Sequence, residues 1–179
     1  MSDVKTSKYL SYVLRHQPES IGLDLDAHGW ADVTELLARS VSSGLTRAAL
    51  DRVVANNDKK RFEYSPDGLK IRASQGHSVN IDLSYEARTP PEILFHGTVD
   101  RFLDAIRNSG LMKMKRHHVH LSADMDTAQS VGDRRGKHVV LRVRAAEMDA
   151  DGHSFFLSTN GVWLTEHVPP EYIEFNLAV

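Results

Sequence analysis

A chain of 179 residues is long enough for one large domain or two small ones, and 41% hydrophobic with 26% charged residues describes a globular protein with a packed core. With no cysteine, disulfides, Cys-ligated zinc, iron–sulfur clusters and thiol nucleophiles are excluded. The formal net charge of −2 argues against indiscriminate coating of nucleic acid. There is no basic N-terminal region leading into an apolar stretch and no run of about 18 apolar residues, so the expectation is a cytoplasmic protein with no membrane partner.

Leu10, Val13 and Leu14 stand at helical spacing and Pro18 stops the pattern, so a first helix ends close to Arg15-His16. That places a permanent cation beside a titratable imidazole. Arginine offers a planar fork of donors to phosphate oxygens, and histidine donates to them or moves a proton near neutral pH. Alone, the pair is accounted for by a C-terminal helix cap, and it gains weight only in company. Asp26-Ala27-His28-Gly29-Trp30 reads as a turn followed by a core tryptophan. Asp32 with Glu35 predicts a capping box opening a helix that carries Val33, Leu36 and Leu37. Thr46 opens a third helix with Leu50, Val53 and Val54.

Residues 61–64 and 69–73 alternate apolar with polar around Ser65-Pro66-Asp67-Gly68, which predicts a β-hairpin with Phe62 and Tyr64 toward the core and Arg61 and Glu63 on the other face. Arg61 either completes a phosphate clamp or is a surface arginine at a strand start. Three helices and a hairpin suggest a winged-helix lobe, a relative of the helix-turn-helix. Gln75-Gly76-His77-Ser78 is a polar loop that either lines a site or links two segments.

Thr89-Pro90-Pro91 breaks regular structure, and the domain boundary is placed there, giving 1–90 and 91–179. Apolar runs at 93–96, 119–122, 139–143, 155–158, 162–165 and 172–177 predict strands. A helix from about Asp100 to Asn108 is ended by Gly110, and another follows Asp124. The second half is therefore a β-rich α+β domain. All ten Lys and Arg after position 90 fall between Arg101 and Arg144, against four acids, whereas six acids and no Lys or Arg follow Ala145. A local basic surface aimed at phosphates is compatible with the acidic total, as is an ordinary solvated face.

His96-Gly97-Thr98 directly follows an apolar strand, so an imidazole and a hydroxyl project from a strand end where glycine admits close backbone approach, a place that suits a bound nucleotide. In Arg116-His117-His118-Val119-His120-Leu121-Ser122, period-two alternation puts His118, His120 and Ser122 on one face. His-x-His can bind zinc, but no acidic or third ligand stands at a familiar spacing, so no metal is expected. Asn160-Gly161 opens onto an aromatic strand through Val162 and Trp163, and an Asn-Gly hairpin with a core tryptophan explains it equally. No phosphate loop, G-x-G-x-x-G fingerprint or G-x-S-x-G elbow is present.

In order, Leu14-Arg15-His16, Lys60-Arg61-Phe62, the stretch from Ile71 to Ser78, His96-Gly97-Thr98, Arg116-x-His118-Val119-His120-Leu121-Ser122 and Asn160-Gly161-Val162-Trp163-Leu164 closely resemble the RNA 2′-phosphotransferase family, KptA type, over nearly the whole chain. The resemblance implies an N-terminal winged-helix RNA lobe and a C-terminal NAD lobe with an ADP-ribosyltransferase fold. It implies a two-step reaction in which an internal RNA 2′-phosphate, of the tRNA splice-junction type, attacks NAD⁺ and expels nicotinamide. The neighbouring ribose hydroxyl then resolves the 2′-phospho-ADP-ribosylated RNA into 2′-hydroxyl RNA and ADP-ribose 1″,2″-cyclic phosphate. The family's catalytic set carries over onto Arg15, His16, Arg61 and Arg116. Its NAD contacts carry over onto His96, Gly97, Thr98, His120, Leu121, Ser122, Asn160, Gly161, Val162 and Trp163.

A late-strand glutamate common in ADP-ribosyltransferases has no clear counterpart, Glu166 and Glu171 being candidates by position alone. Lys115 and His117 read as surface positions, and no protein partner is implied. Two other readings remain: an ADP-ribosyltransferase acting on nucleic-acid phosphate ends or protein, and a non-enzymatic winged-helix nucleic-acid binder. Against the second, residues 1–90 hold 12 basic and 12 acidic side chains, no surplus for generic DNA binding.

Overall fold

The computed structural model describes residues 2–56, 59–129 and 137–175, which divide into two compact units, Met1–Ser84 and Tyr85–Val179. Both are mixed α/β with small antiparallel sheets. No helix among the described residues is long and apolar enough to cross a membrane.

In the first unit, helix α1 (Asp3–Arg15) buries Leu10, Val13 and Leu14 completely. Strand β1 (Ala31–Asp32) leads into α2 (Val33–Arg39), followed by α3 (Arg47–Ala55), β2 (Phe62–Tyr64) and β3 (Lys70–Ala73). The central strand is β3, antiparallel to both neighbours in the order β1-β3-β2. Strand β1 carries no alternation to read in sequence, because two residues make no pattern; it exists through the pairing of Ala31 with Ile71.

The helix starts follow side-chain chemistry. Asp32 Oδ1 accepts from Glu35 N at 2.8 Å and Thr46 Oγ1 from Ala49 N at 3.2 Å, satisfying amides that an α-helix leaves without internal partners. The capping box is half formed, since the Glu35 carboxylate turns along the helix to Arg39 at 3.0 Å. In the hairpin turn Gly68 N donates to Ser65 O at 2.8 Å and Leu69 N to Asp67 Oδ1 at 3.0 Å. Phe62 is buried, whereas Tyr64 is half-buried and its hydroxyl donates to Asp51.

Trp30 is not the core residue the sequence suggested. It is half-buried, with the Arg72 guanidinium 4.4 Å from its ring centroid, and Arg72 is held by Glu63 at 2.7 Å. A large ring is stable at a surface when a cation covers its face.

The second unit comprises β4 (Ile93–Val99), a 3₁₀ turn leading into α4 (Leu103–Ser109), β5 (Leu111–Met112), β6 (Val119–Leu121), α5 (Met125–Gln129), β7 (His138–Arg144), α6 (Ala145–Ala150), β8 (Phe155–Leu157), β9 (Trp163–Thr165), β10 (His167–Val168) and β11 (Ile173–Glu174). One sheet has the order β11-β7-β4, a second β6-β9-β8, and β5 pairs with β10. Phe95 and Ser122 exchange two backbone hydrogen bonds of 2.8 Å, so the two three-stranded sheets are joined by a bridge just past the end of β6. Leu94, Leu141, Val143, Met148 and Phe155 fill the core and are fully buried.

Two strand expectations change here. Strand β4 runs past His96 to Val99, because β7 supplies a seven-residue ladder from Ile93↔Arg144 to Val99↔His138. Helix α6 and the β5–β10 pair are too short for any sequence period. Of the expected strand at 172–177, Tyr172 ends a 3₁₀ turn, Ile173–Glu174 is strand, and residues 176 and 177 lie outside the described residues. Thr89-Pro90-Pro91 lies within the second unit, whose start is anchored by Arg88 N donating to Phe155 O at 2.8 Å.

Replacing Asp32 by alanine removes the α2 cap and is expected to cost the first unit about 1 kcal/mol. Urea denaturation followed at Trp30 in a Trp163→Phe background measures it; an unchanged midpoint would contradict the capping role.

Candidate functional site

In the first unit the end of α1 meets the two ends of the hairpin. The Arg15 carbonyl, one of the last of the helix, accepts from Ser78 N at 2.9 Å, while Arg15 Nη2 donates to Arg61 O at 3.4 Å. Ser74 N, just beyond β3, also donates to Arg61 O at 2.9 Å. His16 Nδ1 lies 2.9 Å from Ser78 Oγ, which fixes the plane of the imidazole. The Arg15 guanidinium lies 5.8 Å from the Phe62 ring centroid, and the residue is only 9% exposed, so its position is held by packing and hydrogen bonds together. Arg15, His16 and Arg61 are thus gathered by backbone contacts spanning up to 63 residues of sequence.

Ser78 was not singled out from sequence. Its partners are distant in the chain, so no local pattern predicts them; the signals were its place in the polar loop 75–78 and at the end of the Ile71-to-Ser78 stretch that carries the family resemblance. That loop is not a linker: His77 is buried at 2% exposure and packs into the first unit.

In the second unit Arg116 Nη1 donates to His120 Nδ1 at 3.3 Å, and His96 Nδ1 donates to His120 O at 3.0 Å. Since a guanidinium can only donate, the His120 ring is an acceptor at Nδ1 and carries its proton on Nε2. Burial holds the His96 imidazole below its ordinary pKa; the bond to His120 O pulls upward, and the Arg116 cation adds to the lowering. His96 is therefore neutral at pH 7 with its proton on Nδ1. Ser122 Oγ accepts from Asp124 N at 3.1 Å, which leaves its own hydroxyl proton to donate.

The expected NAD residues divide by position. His96, Gly97 and Thr98 do not project from a strand end; they lie inside β4, opposite Leu141, Val140 and Val139. The close approach at Gly97 is to protein: a Cβ there would stand 2.0 Å from the Ala128 carbonyl oxygen of α5. His96, His120 and Ser122 are brought together around the β4–β6 bridge. Leu121 and Trp163 pair across β6 and β9 in the core. Asn160, Gly161 and Val162 belong to a turn in which Gly161 N donates to Ser158 O at 2.9 Å and Val162 N to Ser158 Oγ at 3.0 Å. The Ser158 side chain organises this five-residue connection, in place of a two-residue Asn-Gly hairpin. His118 is flanked by Tyr85 and Phe156, at centroid distances of 6.4 and 5.5 Å, and burial lowers its pKa. Among the described residues, no three His, Cys, Asp or Glu side chains are grouped as metal ligands.

A family model described as RNA 2′-phosphotransferase, Tpt1 / KptA family, matches residues 1–167. The chain is 56% identical over 171 residues to a probable RNA 2′-phosphotransferase of Flavobacterium johnsoniae, covering 94% of both chains. It is 56% identical over 174 residues to one of Streptomyces coelicolor, covering 96% of this chain and 94% of the relative. With one of Agrobacterium fabrum it shares 58% over 170 residues, covering 94% and 91%.

Two outcomes follow from the β4 geometry. Gly97→Ala is expected to destabilise the second unit by about 1–3 kcal/mol through overpacking against α5, read as a lower urea midpoint of Trp163 fluorescence; an unchanged midpoint would refute the close approach. The His96 ring, followed by two-dimensional NMR, should titrate below 6.5, its ordinary value. Because the unfolded chain binds this proton more readily, His96 disfavours folding as pH falls below about 6.5. A His96 pKa at or above 6.5 would contradict the assigned burial.

Proposed function

This chain belongs to the RNA 2′-phosphotransferase, Tpt1 / KptA family, and on that premise we propose that it transfers an internal RNA 2′-phosphate, of the tRNA splice-junction type, to NAD⁺. The products are 2′-hydroxyl RNA, ADP-ribose 1″,2″-cyclic phosphate and nicotinamide, formed through 2′-phospho-ADP-ribosylated RNA. NAD⁺ is consumed as a co-substrate. In this reading the first unit, with three helices and the sheet β1-β3-β2, is a winged-helix RNA lobe. The second is an ADP-ribosyltransferase-like NAD lobe.

The observation that carries the reading is the gathering of Arg15, His16 and Arg61, with the backbone of each residue tied into the first unit. A phosphate dianion is already a nucleophile, so the protein's task in the first step is to hold it in line without a strong base. Fixed guanidinium groups suit that task, because they neutralise charge and orient the oxygens through paired donors. The second step adds charge at phosphorus, and Arg116, with His16, is assigned to stabilise it.

The surroundings of the β4–β6 bridge fit a dinucleotide. With His96 neutral, charge there comes from Arg116, while the Ser122 and Thr98 hydroxyls offer hydrogen bonds to ribose and phosphate oxygens. His96, Gly97, Thr98, His120 and Ser122 would hold NAD⁺, with backbone from Leu121 and the turn at Asn160, Gly161, Val162 and Trp163.

RNA carrying one internal 2′-phosphate, incubated with the protein, should lose that phosphate only when NAD⁺ is present. Arg15→Ala and Arg61→Ala should each lower kcat/KM by about 100-fold or more, and Arg116→Ala should accumulate ADP-ribosylated RNA. Normal resolution of that intermediate by Arg116→Ala would remove the role given to Arg116. A wild-type product that stays ADP-ribosylated would identify an ADP-ribosyltransferase instead.

A further inference from the structure

The β5–β6 loop has a tip that the reaction leaves without a role. Met114 is 83% exposed and Met112 54%, so two thioethers face solvent within three residues. Met114 also has φ +55°, a left-handed conformation costly for a side chain with a Cβ. The loop is closed by Arg116 N donating to Lys113 O at 3.0 Å. Its base is fixed on both sides: Lys113 Nζ meets Glu166 at 2.7 Å, β5 pairs with β10, and Arg116 reaches His120. A strained turn with an anchored base therefore holds an apolar side chain out in water, next to Lys115, which is exposed and has no ion pair among the described residues.

We propose that residues 112–115 form a contact for the single-stranded RNA beside the phosphorylated nucleotide, with Met114 packing on a base face and Lys115 meeting a backbone phosphate. The inference rests on the RNA reading above. Charge complementarity selects this occupant. Lys113, Lys115 and Arg116 are cationic, and Glu166 at the loop base is engaged by Lys113. Lysine is depleted at protein–protein interfaces, whereas cations alternating with apolar, polarisable side chains match a strand in which bases alternate with phosphates. A thioether makes favourable contacts with aromatic rings, and a preset turn orders it before binding.

The test measures binding of the full-length protein to a labelled single-stranded RNA carrying one internal 2′-phosphate, by fluorescence anisotropy without NAD⁺. Met114→Gly suits the turn, relieves the strain and changes no charge. It should weaken binding about fivefold or more, the lower end of stacking effects, while Met114→Leu keeps most of the affinity and neither variant lowers the urea midpoint. Lys115→Ala should weaken binding and lower the slope of log affinity against log salt by about 0.7. A 2′-phosphorylated dinucleotide, lacking flanking bases, should bind the wild type and Met114→Gly alike. Affinity of Met114→Gly for the long RNA within twofold of wild type overturns the proposal, as does an equal loss for long RNA and dinucleotide, which would mean that the loop only positions Arg116. If the wild type binds the RNA yet transfers no phosphate, the proposed reaction fails while these affinities still decide the loop's role.

Discussion

The carbonyl oxygen of Arg15 stands in the last turn of a helix that offers it no amide of its own, and the hydrogen bond from Ser78 N at 2.9 Å supplies one. A bond of this kind contributes only about 0.5–1.5 kcal/mol net, but its geometric consequence is larger. It ties α1 to the segment after β3, and through Ser74 and Arg15 Nη2 both reach the carbonyl of Arg61 at the start of the hairpin. The Arg15 and His16 side chains and the backbone of Arg61 therefore take their positions from one small network. Loss of that network would leave each residue present but no longer arranged.

The second unit uses the same economy. A single two-bond bridge between Phe95 and Ser122 links two sheets, and around it Arg116, His120 and His96 form a chain in which each proton position is fixed by its neighbour. The arrangement sets charge as well as geometry. Arg116 stays cationic, and its presence together with burial keeps His96 neutral. The division leaves one strong cation beside uncharged hydrogen-bond donors.

Much of this was readable in the sequence where a pattern is local. The helix caps at Asp32 and Thr46, the Ser65–Gly68 turn and the apolar strands β4 and β7 all follow from side-chain chemistry within a few residues. What escaped was long-range or very short. Ser78 is defined by a partner 62 residues away, β1 by two residues paired across the sheet, and Trp30 by the cation that covers it. Gly97 shows a different limit: the need for glycine was legible, but the atom that demands it is the Ala128 carbonyl, which tertiary structure alone reveals. The ordered motifs pointed to the family, and the match over residues 1–167 agrees.

In the proposed reaction one phosphorus atom passes from RNA to ADP-ribose. RNA bearing a ³²P-labelled internal 2′-phosphate, incubated with the protein and NAD⁺, should yield unlabelled 2′-hydroxyl RNA and one molecule of nicotinamide per phosphate removed. All of the label should appear in ADP-ribose 1″,2″-cyclic phosphate. Label released as inorganic phosphate, or removed without stoichiometric nicotinamide, would rule out transfer to NAD⁺.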